Sequence, residues 1–402
     1  MRVRELTTYR VDDHPNLLIL RAVDEDGNEG LGETFIGAEA VETVIHTDLA
    51  QRILGSEIRG VPARSDLLAG YVGFNGTGAE SRARSAIDLA LWDLAARGRG
   101  VSVAEALGGA VRDSIRTYNT CAGPGYTRAR HHRTTIRNWG LAADDASRTS
   151  YEDLQWFMED AGGLARSLLS EGLTGMKIWP FDPAAERTQG QHITDAELDR
   201  ALDPFRRIRA AVGDEMDIKV ELHGLWNLPS AMRILHALEP FRPTWVEDPI
   251  RPDDVEALRR LRASTSIPIA VGETIGGLHE YRDLIARGGA DVIIVDLSWC
   301  GGLTEALRVA TLAAAWHLPV AVHDCVGPIS FAAAVQFSLH VQNVFVQESV
   351  RAYVSGWYRD VAVGLPVIED GLVRAGDGPG LGVRLVDGFA SSPGVHSRTT
   401  TV

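Results

Sequence analysis

From about residue 116 onward the chain repeats one unit, which consists of a short apolar strand, a loop and a helix. The strands are predicted to end near Cys121, Trp179, Glu221, Glu247, Gly272, Asp296, His323 and Gln347. The helices between them are predicted at roughly 150–171, 204–212, 229–238, 252–263, 278–287, 303–316 and 328–340. Asp203 followed by Pro204 predicts the start of one of them. Eight such units over about 235 residues suit a closed parallel (β/α)8 barrel, whose usual size is ~250 residues.

An open, doubly wound sheet is the competing architecture. Such a sheet normally carries a Gly-x-Gly-x-x-Gly turn between its first strand and the following helix. The corresponding stretch here, CAGPGYTRARHH, does not have that pattern. The barrel is therefore the predicted architecture, and it is expected to span residues 116–360.

The segments on either side of this repeat have a different pattern. Residues 1–115 predict an α+β capping domain, because 16–33 has the pattern of a hairpin and 80–98 that of a helix with one apolar stripe. Residues 361–402 are rich in glycine and hairpin-like, and are predicted to rejoin the capping domain. The last ten residues are predicted to be frayed.

Composition limits the classes of partner. The formal net charge is −14 and lysines and arginines form no long run, which argues against a nucleic acid or an anionic membrane as the main partner. No window approaches 18 apolar residues, and the first residues lack the apolar region of a signal peptide. The three cysteines, Cys121, Cys300 and Cys325, have no Cys-x-x-Cys spacing, so a reducing cytoplasm is predicted.

Three glutamates follow one another at equal steps. Glu221, Glu247 and Glu273 are each 26 residues apart, about the length of one strand–loop–helix unit. They are therefore expected at the carboxyl ends of three consecutive strands, at the mouth of the barrel where active sites lie. Converging carboxylates repel one another unless a cation lies between them, and an all-oxygen ligand set suits Mg²⁺. The alternative is that each glutamate pairs separately with an arginine or a lysine.

Other strand ends carry a second kind of chemistry. Asp296 and His323 are predicted to end adjacent strands, where the aspartate would fix the tautomer of the histidine and make it a general base. A buried histidine is otherwise often only a hydrogen-bonded core residue. His223 lies two residues after Glu221, so alternation along a strand predicts that both point to one face. Glu348, Lys177 and Trp179 are predicted at the ends of further strands.

These residues together resemble the enolase superfamily, in its mandelate racemase-like branch. The resemblance covers nearly the whole chain, and its parts match in order: SAIDLALWDLAAR, the three glutamates, the Asp296–His323 pair, Glu348 and DGPGLG. The resemblance implies that a metal and Lys177 hold a substrate carboxylate while His323, supported by Asp296, removes the proton α to it. The use of Mg²⁺ with a histidine or lysine base is a general property of that superfamily. Glu348 would donate a hydrogen bond to the substrate carboxylate, which requires that it be protonated.

Two departures from the family pattern bear on the reaction. Lys177-Ile178-Trp179 stands where members with two opposed bases carry Lys-x-Lys, which disfavours a racemase of that design. Glu221-Leu222-His223 resembles the Asp-x-His of acid-sugar dehydratases such as galactonate and mannonate dehydratase. In these the histidine protonates the departing hydroxyl, so His223 is predicted to be that acid, the alternative being that it only orients its neighbours.

The resemblance thus predicts a Mg²⁺-dependent dehydratase of a sugar acid, a homo-oligomer that releases a 2-keto-3-deoxy acid. The alternatives are an epimerase or lactone cycloisomerase, an aldolase using Lys177 as a Schiff base, and a non-catalytic metal-binding homologue. Loops 34–39, with Thr34 and Phe35, and 71–78 are expected to contact the distal hydroxyls, and Trp179 to contact the substrate. The arginine-rich segment 125–150 is interpreted as a solvated excursion or a subunit contact, with a lid as the other option.

Overall fold

The computed structural model of the protein describes residues 1–68, 78–128 and 151–402. Its strands are β1 (Val3–Val11), β2 (His14–Asp24), β3 (Glu29–Phe35), β4 (Ile115–Thr120), β5 (Gly175–Ile178), β6 (Asp217–Glu221), β7 (Trp245–Glu247), β8 (Ile269–Val271), β9 (Val292–Val295), β10 (Val320–Val322), β11 (Val344–Ser349), β12 (Ala362–Val363), β13 (Val367–Glu369), β14 (Leu372–Arg374), β15 (Arg384–Leu385) and β16 (Val395–Thr401).

The α-helices are α1 (Ala38–Val44), α2 (Ala50–Ile53), α3 (Val61–Leu68), α4 (Ala79–Arg97), α5 (Val103–Ala106), α6 (Asp153–Ser170), α7 (Asp182–Thr188), α8 (Asp195–Val212), α9 (Leu228–Leu238), α10 (Val255–Arg262), α11 (Leu278–Ala286), α12 (Leu303–Ala315), α13 (Pro328–His340), α14 (Arg351–Val354) and α15 (Tyr358–Val361). A π-helical turn, Ile45–Leu49, joins α1 to α2. Short 3₁₀ turns are Tyr126–Arg128, Glu239–Phe241 and Phe389–Ser391. Within the described ranges, none of the helices is long and apolar enough to cross a membrane.

Strands β4 to β11 form a closed parallel barrel. Each strand pairs with the next along the chain, and β11 pairs with β4 to complete the cylinder. The predicted strand ends lie within two residues of the observed ones, because the apolar runs are short and each is followed by a turn or a helix. The predicted barrel is confirmed, and its strands and surrounding helices share one large apolar core.

Two local predictions were wrong, and one helix was missed. The helix predicted from residue 204 begins at Asp195, because Thr194 and Glu197 form a reciprocal capping box there and Pro204 lies inside the helix. Helix α7 was not predicted. The last residues are not frayed, since β16 pairs antiparallel with β1 over seven residues, from Val395 opposite Val11 to Thr401 opposite Glu5.

The capping domain is a four-stranded antiparallel sheet, in the order β16-β1-β2-β3, with α4 packed on it. The predicted hairpin and the predicted helix are both present. Gly30 and Gly32 of β3 lie so close to α4 that a Cβ atom would come within 2.2 Å of the Ala90 carbonyl oxygen and 1.9 Å of that of Ala86. The two glycines therefore allow direct strand–helix contact, which fixes the end of β3 over the barrel.

A polar stripe on α4 joins the cap to the barrel. Ser81, Ser85 and Asp88 lie on one face of the helix and bond the segment that links β9 to α12: Ser81 donates to the Trp299 carbonyl at 2.8 Å, and Asp88 accepts from the backbone and hydroxyl of Thr304. The C-terminal segment contributes to both parts of the molecule, because β14 pairs with β4 of the barrel whereas β16 completes the capping sheet. The domain boundaries at residues 115 and 360 stay predictions.

Candidate active site

Three buried glutamates converge at the carboxyl end of the barrel. Glu221 and Glu247 end β6 and β7 and lie directly opposite each other in the register, and Glu273 follows β8 by two residues. Each offers one carboxylate oxygen, and these atoms lie within 4.8 Å of one another. The equal sequence spacing thus corresponds to one cluster of acids, as expected for consecutive strands of a barrel.

Burial and mutual repulsion disfavour the ionised form of the carboxylates in this cluster. Burial raises the pKa of Glu247 to about 8; Lys177 opposes this shift and the charge of Glu221 adds to it. Burial and the charge of Glu273 also hold the pKa of Asp248 well above its usual range. Oε2 of Glu221 is buried and accepts no hydrogen bond among the described residues. A buried carboxylate oxygen without a hydrogen bond, beside two further acids, fits a hard divalent cation.

Lys177, at the end of β5, lies among these acids. Its Nζ is 3.0 Å from Glu247 Oε1, 2.9 Å from Glu348 Oε1 and 3.5 Å from Glu221 Oε2. Burial alone would lower the pKa of Lys177, but the charges of Glu247 and Glu348 outweigh it and hold that pKa well above 10.5. The lysine is therefore a fixed cation. This does not fit the Schiff-base alternative, which needs a neutral amine with a lowered pKa.

Glu348, on β11, is an acceptor in this structure. It accepts hydrogen bonds from Lys177, from the hydroxyl of Thr120 and from the backbone N–H of Asp324. Burial would raise the pKa of Glu348, but Lys177 and His323 overcome this and lower it to about 2. The predicted role of Glu348 as a protonated donor therefore does not fit the arrangement, because its cationic and N–H neighbours all stabilise the carboxylate.

His323 and Asp296 form a buried pair on adjacent strands. Nδ1 of His323 lies 2.7 Å from Oδ2 of Asp296, and the other aspartate oxygen accepts from both the backbone and the hydroxyl of Ser298 at 2.6 Å. Nε2 of His323 lies 3.3 Å from Glu273. Burial lowers the pKa of His323, but Glu273 and Glu348 raise it to a net value well above its usual range. Asp296 thus fixes the ring and directs Nε2 toward the acid cluster.

His223 reaches the site by a turn and not by strand alternation. Strand β6 ends at Glu221, and His223 has a left-handed φ of 51°. The predicted reason for its direction was therefore wrong. Its backbone N–H donates to Glu221 at 2.7 Å, and its Nδ1 lies 2.8 Å from Asp182, the first residue of α7. Burial lowers the pKa of His223, but Asp182 and Glu221 raise it to about 9.

One cavity connects these groups. It is lined by the predicted residues Lys177, Glu221, Glu273, His223, His323, Glu348, Trp179 and Phe35. Trp179, directly after β5, is buried and its indole Nε1 has no hydrogen-bond partner within the described part of the chain. Thr34 does not line the cavity, because its hydroxyl donates to the Ser298 carbonyl at 2.8 Å and holds the cap on the barrel.

The structure adds residues that the sequence analysis did not single out individually, although Ile36 lies in the predicted loop 34–39 and Tyr126 in the segment 125–150. Asp182, Ile36 and Tyr126 belong to the site or line the cavity, and Ile36 does so with a φ of 72°, which is unusual for a β-branched residue. Asp182 is followed by proline, a pattern that signals only a helix start. Residues 71–77 of the predicted loop and 129–150 of the arginine-rich segment lie outside the described residues.

Comparison with known proteins defines the family. Residues 7–108 match the mandelate racemase/muconate lactonizing enzyme N-terminal domain, and residues 160–388 match the enolase C-terminal domain-like family. The chain therefore belongs to the mandelate racemase/muconate lactonizing enzyme family of the enolase superfamily. An enolase of the mandelate racemase subgroup from Agrobacterium tumefaciens shares 41% identity, with a TM-score of 0.87 over 100% of this chain and 99% of that one.

Several similar proteins are named as dehydratases. The D-galactonate dehydratase of Ralstonia nicotianae is 31% identical over 95% of this chain and 92% of its own length. That of Xanthomonas axonopodis pv. citri is 29% identical over 96% and 92%. The D-gluconate dehydratase of Thermoproteus tenax is 33% identical over 77% of this chain, which spans 56% of that protein. These relatives are carbon–oxygen hydro-lyases within one enzyme superfamily.

Proposed function

We propose that this protein is a Mg²⁺-dependent dehydratase of a sugar acid. The observation that carries the proposal is the presence of two histidine–carboxylate pairs at one cavity, His323 with Asp296 and His223 with Asp182. Strands β6 and β10 are four steps apart in the closed barrel of eight, so the two histidines stand on opposite sides of the mouth. The relatives named as galactonate and gluconate dehydratases support the same class of reaction.

The three glutamates would hold the magnesium ion. Their buried oxygens, one of which accepts no hydrogen bond among the described residues, match the ligand type that Mg²⁺ prefers. When bound, the ion would supply positive charge to the substrate carboxylate. The ammonium of Lys177 supplies a second positive charge from the chain itself. Such a local field allows a protein with a net charge of −14 to bind an anion.

His323 is the proposed base and His223 the proposed acid. Nε2 of His323 takes the proton from C2, next to the carboxylate, and the electron pair of the C–H bond delocalises toward the carboxylate. The bond from C3 to its hydroxyl then breaks with its pair on oxygen, which takes a proton from His223 and leaves as water. The pair released at C2 forms the C2–C3 double bond as water leaves. The resulting enol then takes a proton at C3, gives up the proton of its C2 hydroxyl and becomes the 2-keto-3-deoxy acid. A base and an acid on opposite sides of the cavity can act on C2 and on the C3 hydroxyl respectively. General acid–base catalysis by one such group typically raises the rate ~10²–10⁴-fold.

The cap closes the reaction volume. Phe35 and Ile36, at the end of β3, line the cavity, while the Phe35 carbonyl accepts from Trp299 Nε1 at 3.1 Å. This hydrogen bond joins the end of β3 to Trp299, whose neighbour Ser298 also bonds Asp296. We infer that the cap excludes bulk water from the reacting carbons. The predicted homo-oligomer and cytoplasmic location stay predictions.

The decisive test is a panel of C5 and C6 aldonates and aldarates, incubated with Mg²⁺ in D₂O. A dehydratase consumes one of them and releases a 2-keto-3-deoxy acid carrying deuterium at C3, and EDTA abolishes the reaction. Substrate that returns labelled at C2 without any keto acid would instead establish an epimerase. Tight, stoichiometric Mg²⁺ binding without turnover of any acid would establish a non-catalytic homologue.

A further inference from the structure

The pair formed by Asp182 and His223 lies across two separate loops of the barrel mouth. Asp182 begins α7, after β5, whereas His223 follows β6. Oδ2 of Asp182 lies 2.8 Å from Nδ1 of His223, and both side chains are largely buried, at 7% and 12% exposure. Because the two groups follow different barrel strands, their contact fixes the ring relative to the barrel and not only relative to its own loop.

The backbone of His223 is fixed as well. Its N–H donates to Glu221 at 2.7 Å, and the next residue, Gly224, donates to the Asp248 carbonyl at 2.6 Å. The left-handed turn at His223 is a conformation that costs energy for a residue with a side chain, so the surrounding contacts must hold it. The ring lies edge-on to Trp179, with centroids 5.9 Å apart. Backbone, ring plane and Nδ1 are thus each constrained by a different neighbour.

We propose that Asp182 is a positioning residue for the reaction, which accepts a hydrogen bond from Nδ1 of His223 and so presents Nε2 to the leaving hydroxyl. This role rests on the proposed function, and it gives the proposed acid, His223, a fixed carboxylate partner. The pair repeats, on the opposite side of the barrel, the way Asp296 holds His323. A carboxylate on one ring nitrogen fixes the tautomer and orientation of the other.

The hydrogen bonds of Asp182 differ from those expected of a purely structural carboxylate. A structural carboxylate usually satisfies both oxygens, but Oδ1 of Asp182 is buried and has no hydrogen-bond partner among the described residues. Within the described part of the chain, the side chain of Asp182 therefore bonds the ring of His223 through Oδ2 while Oδ1 has no hydrogen-bond partner.

The first experiment needs no substrate. In proton NMR of the intact protein, imidazole N–H groups bound to carboxylates give strongly downfield resonances, and we expect one for each pair. Asp182→Asn should remove or shift one of them and Asp296→Asn the other, with Glu186→Gln, an exposed acid on the same helix, as the unchanged control. A resonance pattern that Asp182→Asn leaves intact would contradict the inference.

The second experiment separates the two chemical steps, with D-galactonate and D-gluconate as probes in D₂O. Asp182→Asn and Asp182→Ala should lower kcat for dehydration at least about tenfold, which is part of the ~10²–10⁴-fold that a general acid typically contributes. Exchange of the C2 proton and the KM should stay within about threefold of wild type. If the Asp182 variants dehydrate the probes at the wild-type rate, the role of Asp182 is refuted and the proposed function is not. If the wild-type protein neither exchanges nor dehydrates any acid of the full panel, both are refuted.

Discussion

The indole Nε1 of Trp245 donates a hydrogen bond of 2.9 Å to Oε2 of Glu247, two positions further along the same strand. Residues two apart on a strand share a face, so Trp245 lies beneath Glu247 inside the barrel. The other oxygen of Glu247 accepts from Lys177 at 3.0 Å. Both oxygens therefore have a fixed direction, which matters if this carboxylate binds a cation.

Trp245→Phe should weaken Mg²⁺ binding by roughly 10–100-fold, the usual cost of losing a group that orients a metal ligand. The change removes the N–H but keeps an aromatic ring in the barrel interior. Isothermal titration with Mg²⁺ measures the affinity directly. Trp316→Phe, at a half-exposed position on the outside of the barrel, is the matched control. Equal affinities in both variants would show that the indole does not orient Glu247.

Lys177→Met should destabilise the protein chiefly in the absence of Mg²⁺. Without the ammonium the buried glutamates lose their cation, and breaking a buried ion pair costs roughly 3–5 kcal/mol. A divalent cation would replace that charge, so the rise in thermal midpoint on adding Mg²⁺ should be larger for the variant than for wild type.

The control for that experiment is Lys219→Met. Lys219 is also buried in the barrel, but its ammonium lies over the rings of Tyr118 and Trp245, at 4.6 and 4.8 Å, and makes no ion pair with the three glutamates. Its effect on stability should depend on Mg²⁺ much less than the effect of Lys177→Met does. If Lys177→Met loses the same stability with and without Mg²⁺, the lysine does not compensate the acid cluster.

His323→Asn should abolish exchange of the C2 proton and leave Mg²⁺ affinity nearly unchanged, because the residue removes a proton but is not a proposed ligand. His223→Asn should stop water loss yet retain exchange. The measurement is NMR of the substrate in D₂O, alongside a keto-acid assay. Exchange that survives in His323→Asn would place the base elsewhere, and loss of both steps in His223→Asn would show that His223 does more than protonate the leaving group.

The cap–barrel contact of Asp88 should make stability depend on pH. Burial raises the pKa of Asp88 to about 6, with hydrogen bonds from Thr304 opposing the shift, against an ordinary 3.8. The folded state binds this proton more tightly than the unfolded state does. The contribution of the protonated carboxyl to the free energy of unfolding is therefore complete below pH 3.8, and it is lost as the pH rises through about 6. Asp88→Asn stays neutral throughout. It should therefore gain stability relative to wild type, by on the order of 1–3 kcal/mol, between pH 4.5 and pH 7.5.

Urea unfolding of both proteins at the two pH values measures this difference. Asp26→Asn, at an exposed turn of the capping sheet, serves as the control and should show no comparable change. A constant difference between Asp88→Asn and wild type across this range would mean that the carboxyl is not protonated in the fold.

The sequence was sufficient for the barrel and for the acid cluster because both depend on periodic spacing. Equal steps between Glu221, Glu247 and Glu273 follow from the length of one repeat, and parallel strands bring their ends to the same height. The pairing of Asp296 with His323 follows from the same rule on the next strands. These features need no knowledge of loop conformation.

Features built from turns and long-range contacts could not be predicted in this way. His223 owes its direction to a left-handed φ, and Asp182 reaches it from a different loop. Thr34 was placed at the substrate because its loop is near the mouth, but its hydroxyl bonds a barrel carbonyl instead. The neighbours of Glu348 could not be predicted either: burial raises its pKa, but the charges of Lys177 and His323 lower it to about 2.

The pairing of β1 with β16 links the two ends of the described chain across the whole barrel sequence. During synthesis, the capping sheet lacks its outer strand until all eight barrel strands have left the ribosome. Contacts between residues so far apart in sequence form slowly, because the intervening chain must be ordered first. We therefore expect the cap to be the last part of the protein to mature, so that a nascent chain would acquire a finished barrel before it acquires a sealed active site.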